Sequence, residues 1–349
     1  MNLPEKLTSL KPYDPITGSY SVRLDANESY FDLPHVMKAK IADKLEQLDF
    51  NRYPAPLADG VINAFAEYYG VSPDCVTAGN GSDEIISILE TCFLQKGKKL
   101  VTVSHDFSMY NFYAALTELE TEVVPKKENL QIDMDALIAA CQDADAVMFS
   151  NPCNPTSLGI TRADVKRLLE SVSCLVILDE AYMDFWDESV LSWVNDYENL
   201  IVLRTCSKAI GLAAVRMGFA VANPKLTGLM RAAKSPYNCD SISQMIAETV
   251  LSEHSLLEHC RDEIIVQTQR LYTAISDLVR RYPTLLDTVY PPRTNFVFIK
   301  TAYAKEIYES LAKEGIAVRC FPDGLRICAG TRREQELLLS ALENILKPD

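Results

Sequence analysis

Three polar groups stand at regular intervals in the middle of the chain, each beside an apolar run. Asn154 follows Ala146-Val147-Met148-Phe149-Ser150, Asp179 ends Leu175-Val176-Ile177-Leu178, and Lys208 follows Leu200-Ile201-Val202-Leu203-Arg204. The intervals are 25 residues (154 to 179) and 29 residues (179 to 208). One strand–helix–strand unit takes roughly 30. In an open parallel sheet, ligands bind beyond the carboxyl ends of the strands, so this spacing sets the three groups on one edge of such a sheet. A lysine there can form an imine. A carboxylate can hold a pyridine nitrogen protonated, which makes the ring an electron sink. The Asn154 amide and the phenol of Tyr182 can hydrogen-bond a ring oxygen. Pyridoxal 5′-phosphate requires these things.

A phosphate site is also in place. Gly79-Asn80-Gly81-Ser82-Asp83-Glu84 precedes a helical pattern over residues 84–95. Two glycines allow a tight turn, and a helix N-terminus presents free N–H groups to an anion. Ser207 and Arg216 are placed to complete the cup. Each piece alone has an ordinary structural explanation: Asp-Glu at a strand end caps helices, Asn-Pro marks turns, and Gly-x-Gly-Ser is not a dinucleotide fingerprint. Their order and spacing together carry the chemistry.

The elements that must position these groups are short strands alternating with helices. Apolar runs at 100–103, 146–150, 175–179, 200–204 and 219–222 alternate with helical stretches at 84–95, 162–171 and 225–234. Such alternation predicts βαβ units and a mainly parallel sheet. Residues 1–30 read as an N-terminal arm broken by Pro4, Pro12, Pro15 and Gly18, and 31–240 as the large domain. Residues 241–349 read as a smaller α+β domain: strands at 296–300, 316–319 and 325–328, with helices near 305–314 and from 332. One long amphipathic helix over 241–281 is expected to bridge the two.

Composition bounds the partners. The 349 residues carry 34 Lys and Arg against 48 Asp and Glu, a net charge of -14. Such a field repels phosphate backbones and anionic lipid, so neither nucleic acid nor a membrane surface is expected as a partner. An anionic small ligand needs a local cluster of cations. The N-terminus lacks the apolar core of a signal peptide, and ten scattered cysteines without a C-x-x-C pair read as reduced thiols of a cytoplasmic protein. The four histidines form no i,i+4 pair, so no metal site is expected.

The ordered set of motifs resembles the fold-type I pyridoxal-phosphate enzymes of the aspartate aminotransferase superfamily. The matching words are Leu24-Asp25-Ala26-Asn27-Glu28, Asn51-Arg52-Tyr53-Pro54, the 79–84 turn, Asp179-Glu180-Ala181-Tyr182, Ser207-Lys208-Ala209, Gly211-Leu212-Ala213, Arg216-Met217-Gly218, Pro236-Tyr237-Asn238, Thr294-Asn295-Phe296 and Leu325-Arg326-Ile327. They span nearly the whole chain in family order. Within the superfamily they are most similar to the histidinol-phosphate aminotransferases. The resemblance implies a large domain with helices on both faces of the sheet plus a small α+β C-terminal domain, and a homodimer with shared sites. It implies Lys208 as the cofactor-bearing base, Asp179 on the pyridinium nitrogen, Asn154 and Tyr182 on the ring oxygen, and Phe107 stacked on the ring. It implies Gly81, Ser82, Asp83, Thr205, Ser207 and Arg216 around the phosphate, with Tyr53 reaching the partner subunit's phosphate. Arg326 matches the arginine on the substrate carboxylate, and Tyr13, Asn27 and Arg319 complete the implied substrate contacts.

The chain departs from the family pattern at three places. Cys153 and Ser157 stand where Asn and Gly are common, Phe107 stands where Tyr is common, and residues 320–324 form a short loop. The implied reaction moves an amino group between histidinol phosphate and the 2-oxoglutarate/glutamate pair. An aromatic or broad amino-acid aminotransferase, and a decarboxylase or lyase of the same fold, share the site. A ligand sensor of this fold needs some 60 residues of DNA-binding domain ahead of it, where about 30 stand here.

Overall fold

A computed structural model of the chain describes residues 4–8 and 16–347. The strands are β1 (Val22–Arg23), β2 (Val76–Asn80), β3 (Lys99–Val103), β4 (Glu120–Val124), β5 (Ala146–Ser150), β6 (Leu175–Asp179), β7 (Leu200–Thr205), β8 (Met217–Ala222), β9 (Thr288–Val289), β10 (Phe296–Lys300), β11 (Ile316–Ala317), β12 (Arg319–Phe321) and β13 (Gly324–Cys328). The helices are α1 (Glu5–Thr8), α2 (His35–Glu46), α3 (Asp59–Tyr69), α4 (Gly81–Ile88), α5 (Met109–Thr117), α6 (Met134–Ala140), α7 (Arg162–Ser171), α8 (Pro224–Ala233), α9 (Ser241–Leu251), α10 (His254–Arg281), α11 (Ala304–Lys313) and α12 (Arg332–Leu346).

Seven strands form the large sheet in the order β2-β8-β7-β6-β5-β3-β4. The pairs from β4 to β7 are parallel, and β8 is antiparallel to both β7 and β2. Strands β5, β7 and β8 are buried at every residue, as expected where helices cover both faces. Alternate residues feed two cores. Val147, Phe149, Val176, Leu178 and Val202 pack with Phe65 of α3, Val165 and Leu168 of α7 and Val250 of α9. Met148, Ile177, Ile201 and Leu203 face Ile85, Ile86 and Leu89 around α4, Tyr110 of α5 and Met230 of α8. The register sets Ser150 beside Asp179 and Asp179 beside Leu203, so β5, β6 and β7 end at one edge.

The C-terminal part is a four-stranded antiparallel sheet, β12-β13-β10-β9. Its core joins Phe296, Val297 and Ile327 to Ile264, Leu271 and Ile275 of α10 and Leu338 and Leu342 of α12. Capping boxes of Thr161 with Asp164 and of Thr331 with Glu334 start α7 and α12. Strand β1 pairs in parallel with β11, which ties the N-terminal segment to the C-terminal part.

Three expectations are corrected. Residues 320–324, read as a loop, are mostly strand: Cys320 and Phe321 pair with Leu325 and Gly324, and only Pro322 and Asp323 turn between β12 and β13. The stretch 241–281 is two helices: the first ends at Leu251 and the second begins at His254. Ala247, Val250, Leu251 and Leu257 pack on the large sheet, whereas Ile264, Leu271 and Ile275 pack in the second core. The break lets each segment present its apolar face to its own core. The strand expected over 316–319 is also two: Ile316–Ala317 pairs with β1, and Arg319–Phe321 pairs with β13.

Candidate active site

The strand ends open into a cleft of about 600 Å³ between the sheet edge, the N-terminal segment and the C-terminal sheet. Asn154, Asp179, Tyr182 and Lys208 all line it. Asp179 is 5% exposed. Its Oδ2 accepts from the Tyr110 hydroxyl at 2.8 Å and its Oδ1 from the Ala181 amide at 3.0 Å. Burial pushes its carboxyl up to about 6, against those two hydrogen bonds, and the nearby Asp106 and Asp83 push the same way. A cation bound beside it restores the ordinary ionised state. The next residue, Glu180, accepts from Arg204 at 2.9 Å, and Arg204 also meets Asp184 at 3.1 Å. The two acids at the end of β6 thus divide: one enters the cleft and one closes a buried ion pair.

Lys208 lies three residues beyond β7 and donates from Nζ to the Ala26 carbonyl at 3.4 Å, 5.8 Å from the centre of the Tyr182 ring. The Tyr182 hydroxyl accepts from Asn27 Nδ2 at 2.8 Å. Asn27 is buried with φ of 54°, and its main chain is held by the Cys328 thiol and by Asn295 Nδ2. Phe107 is half-buried in the cleft wall. Arg326 donates from Nη1 to Asn154 Oδ1 and from Nη2 to the Asp25 carbonyl, each at 2.5 Å, and its buried Nε has no partner. Arg319 lines the same wall.

The opposite end of the cleft is built for an anion. Helix α4 begins at Gly81, with φ of +77°, and the lining there is Ser82, Asp83, Thr205, Ser207 and Arg216. A Cβ on Gly81 would come 2.6 Å from Arg216 Nη2, a flexible tip that can shift aside, so it is the positive φ of the turn that calls for glycine. A Cβ on Gly218 would overlap the Gly81–Ser82 peptide, and this lets β8 pass close under the turn. Arg216 meets Asp83 at 3.2 Å. The donor set fits a phosphate, and Lys208 with Asp179 fits the ring and aldehyde of pyridoxal 5′-phosphate.

Tyr53 does not enter the cleft of its own chain: it is 80% exposed and stacks on Tyr237 at 4.6 Å. Tyr13 lies outside the described residues. Sequence reasoning missed Tyr110, whose bond to Asp179 follows from the fold and from no spacing rule. It also missed Asp106, whose carboxylate accepts from the Ser150 amide at 3.1 Å, from the Ser150 hydroxyl and from the Phe107 amide at 2.7 Å. Lys126 was missed as well. Its Nζ donates to the His105 carbonyl and to Cys153 Sγ, each at 3.0 Å, which pins the loop before Phe107 to the loop before Asn154. Among the described residues, no cluster of three or more His, Cys, Asp or Glu side chains could hold a metal ion, and no helix is long and apolar enough to cross a membrane.

A parallel sheet whose edge carries a lysine, a buried carboxylate and a helix-capped anion site defines the class of protein. The chain belongs to the class I and II aminotransferase family, whose model matches residues 20–342. Within that family it is 36% identical to the histidinol-phosphate aminotransferase of Clostridium novyi (strain NT), over 97% of this chain and 95% of that one. It is 34% identical to the enzyme of that name from Pyrococcus furiosus, over 98% of each. The fold matches the crystal structure of histidinol-phosphate aminotransferase from Sinorhizobium meliloti in complex with pyridoxal-5′-phosphate, with a TM-score of 0.87, 23% identity and 99% and 97% of the two chains covered.

Proposed function

We propose that the protein is a histidinol-phosphate aminotransferase of histidine biosynthesis, using pyridoxal 5′-phosphate to move an amino group between histidinol phosphate and the 2-oxoglutarate/glutamate pair. The single observation that carries this reading is one cleft with a lysine and a buried carboxylate in the middle, an anion-binding helix start at one end and arginines at the other. The relatives at 34–36% identity over nearly full length supply the substrate. When bound, the cofactor supplies an electron sink for the electrons of the substrate's Cα–H bond.

Lys208 Nζ would hold the cofactor and, once displaced by the donor, carry the proton from Cα. Asp179 would keep the ring nitrogen protonated through a charge-assisted bond. Tyr182, held by Asn27, and Asn154, held by Arg326, would orient the ring oxygen, and Phe107 would cover a ring face. Ser82, Asp83, Thr205, Ser207 and Arg216 would grip the phosphate around the Gly81 turn. Arg326 and Arg319 would receive the donor's terminal anion. The exposed Tyr53, stacked on Tyr237, is a group we assign to the partner subunit's phosphate in a homodimer. The reading places the work in the cytoplasm, where the ten free thiols stay reduced.

The test is glutamate formation from histidinol phosphate and 2-oxoglutarate by the purified protein, against a panel of other amino donors. Histidinol phosphate is expected to lead the panel. Aromatic amino acids outrunning it would replace this reading with a general aminotransferase.

A further inference from the structure

The wall of the cleft beside the C-terminal sheet carries a third arginine, Arg23 of β1, along with Arg319 and Arg326. Its placement is specific. Asp25, two residues on and only 7% exposed, takes Arg23 Nε at 3.2 Å and Nη2 at 2.8 Å in a forked pair. The same residue's carbonyl takes Arg326 Nη2 at 2.5 Å. One buried residue therefore fixes two guanidinium groups, one with its side chain and one with its main chain. The Arg23 side chain stays 48% exposed and lies 6.0 Å from the Tyr20 ring. The parallel pairing of β1 with β11, Arg23 opposite Ala317, holds this stretch on the side of the sheet that leads into Arg319.

The anions that must enter are unequal. A carboxylate is a monoanion with two oxygens, and one guanidinium fork fills it. A phosphate monoester carries about 1.5–2 negative charges and three acceptor oxygens. Arg326 already gives Nη1 and Nη2 to Asn154 and Asp25, so a phosphate needs further donors. In a chain of net charge -14, these must be local. The Arg23–Asp25 pair is neutral as a whole, with its acid buried and its guanidinium at the cleft.

Resting on the substrate reading above, we propose that Arg23 is a specificity-determining residue of the distal anion subsite. It meets the phosphate of a phosphorylated amino donor, is not needed for the carboxylate of glutamate, and is positioned by Asp25.

The test compares the two half-reactions of the holoenzyme in single turnover, followed by cofactor absorbance, for the parent, Arg23→Met and Arg23→Lys. Arg23→Met is expected to raise the apparent dissociation constant of histidinol phosphate about tenfold, with limiting rate and the glutamate half-reaction within about twofold. Arg23→Lys restores the charge without the fork and recovers part of the loss. Inorganic phosphate, added as competitor of the glutamate half-reaction, is expected to inhibit Arg23→Met about tenfold more weakly. If Arg23→Met melts early because Asp25 is left buried and unpaired, Arg23→Met with Asp25→Asn removes the pair as a unit, and the same selective loss is expected. Equal losses for both donors, or no loss for either, in a variant that melts with the parent would overturn the proposal. A parent that ignores histidinol phosphate, while Arg23→Met still loses phosphate inhibition, sinks the substrate reading and leaves the subsite standing.

Discussion

Asp179 and Glu90 are both carboxyls taken out of water, and they differ in what meets them. Asp179 ends β6 at the cleft, with the Tyr110 hydroxyl and the Ala181 amide on its oxygens. Glu90 sits beyond α4, where the helix widens into a π-helical turn over Leu89–Phe93. It is fully buried, and neither of its oxygens has a partner. Burial pushes both carboxyls up, Asp179 to about 6 and Glu90 to about 8. The partnered acid is poised to ionise against a cation in the cleft, and the orphan stays a neutral acid at pH 7. Burial alone does not mark a functional carboxyl; the donors around it and the open space in front of it do. α4 joins the two regions, since its first turn lines the cleft and its continuation carries Glu90.

Activity separates the pair most widely. Asp179→Asn keeps the shape and removes the charge, and transamination is expected to fall on the order of 10²- to 10³-fold with the cofactor still bound. Glu90→Leu is expected to leave turnover within about twofold. Steady-state rates of both variants, with cofactor content measured on the same samples, check this. A matching collapse in Glu90→Leu would break the comparison.

Stability is expected to move the other way. The folded chain holds the Glu90 proton up to about pH 8, while the unfolded chain releases it near the ordinary 4.5. The folded acid is thus undisturbed below pH 4.5, and its contribution falls as pH rises toward 8, by about 1.4 kcal/mol per unit at most. Glu90→Leu removes that loss. Its gain over the parent should grow by roughly 2–4 kcal/mol between pH 5 and 8, read from urea unfolding at both values. A gain independent of pH would show that Glu90 ionises with little penalty.

The smallest effect sharpens the Asp179 side. In the role proposed for Asp179, a protonated ring nitrogen needs the ionised carboxylate, so cofactor uptake by the apoenzyme should weaken as pH falls through about 6. Tyr110→Phe removes a donor that favours the ionised form, and should shift the midpoint of that profile upward by about half a unit to one unit, the equivalent of one hydrogen bond. A titration of cofactor binding against pH in both proteins measures it. A midpoint unmoved by Tyr110→Phe would remove Tyr110 from the site.

Legibility in the sequence followed burial. β5 and β6 read directly because Ala146–Ser150 and Leu175–Asp179 are nearly continuous apolar runs, and α7 because its apolar residues Val165, Leu168 and Leu169 recur at helical spacing. The edge strand β4, Glu120–Val124, did not: four of its five residues are exposed, and three of those, Glu120, Thr121 and Glu122, are polar, so no continuous apolar run marks it. β1 is two residues long and exists only through its pairing with β11, nearly 300 positions away. The break between α9 and α10 was hidden because both segments are amphipathic, and periodicity does not say which core each one faces.

By itself the sequence determined the chemistry on offer: a lysine, a carboxylate and an amide at strand-ending intervals, with a glycine turn ahead of a helix. Those follow from local pattern and from the period of a βαβ unit. Tertiary structure alone decided which acid of Asp179-Glu180 enters the cleft, that Tyr110 meets it, and that Asp25 fixes Arg23 and Arg326 together. The reason is physical: successive side chains at a strand end face opposite ways, and what each one meets is set by packing of segments far apart in the chain.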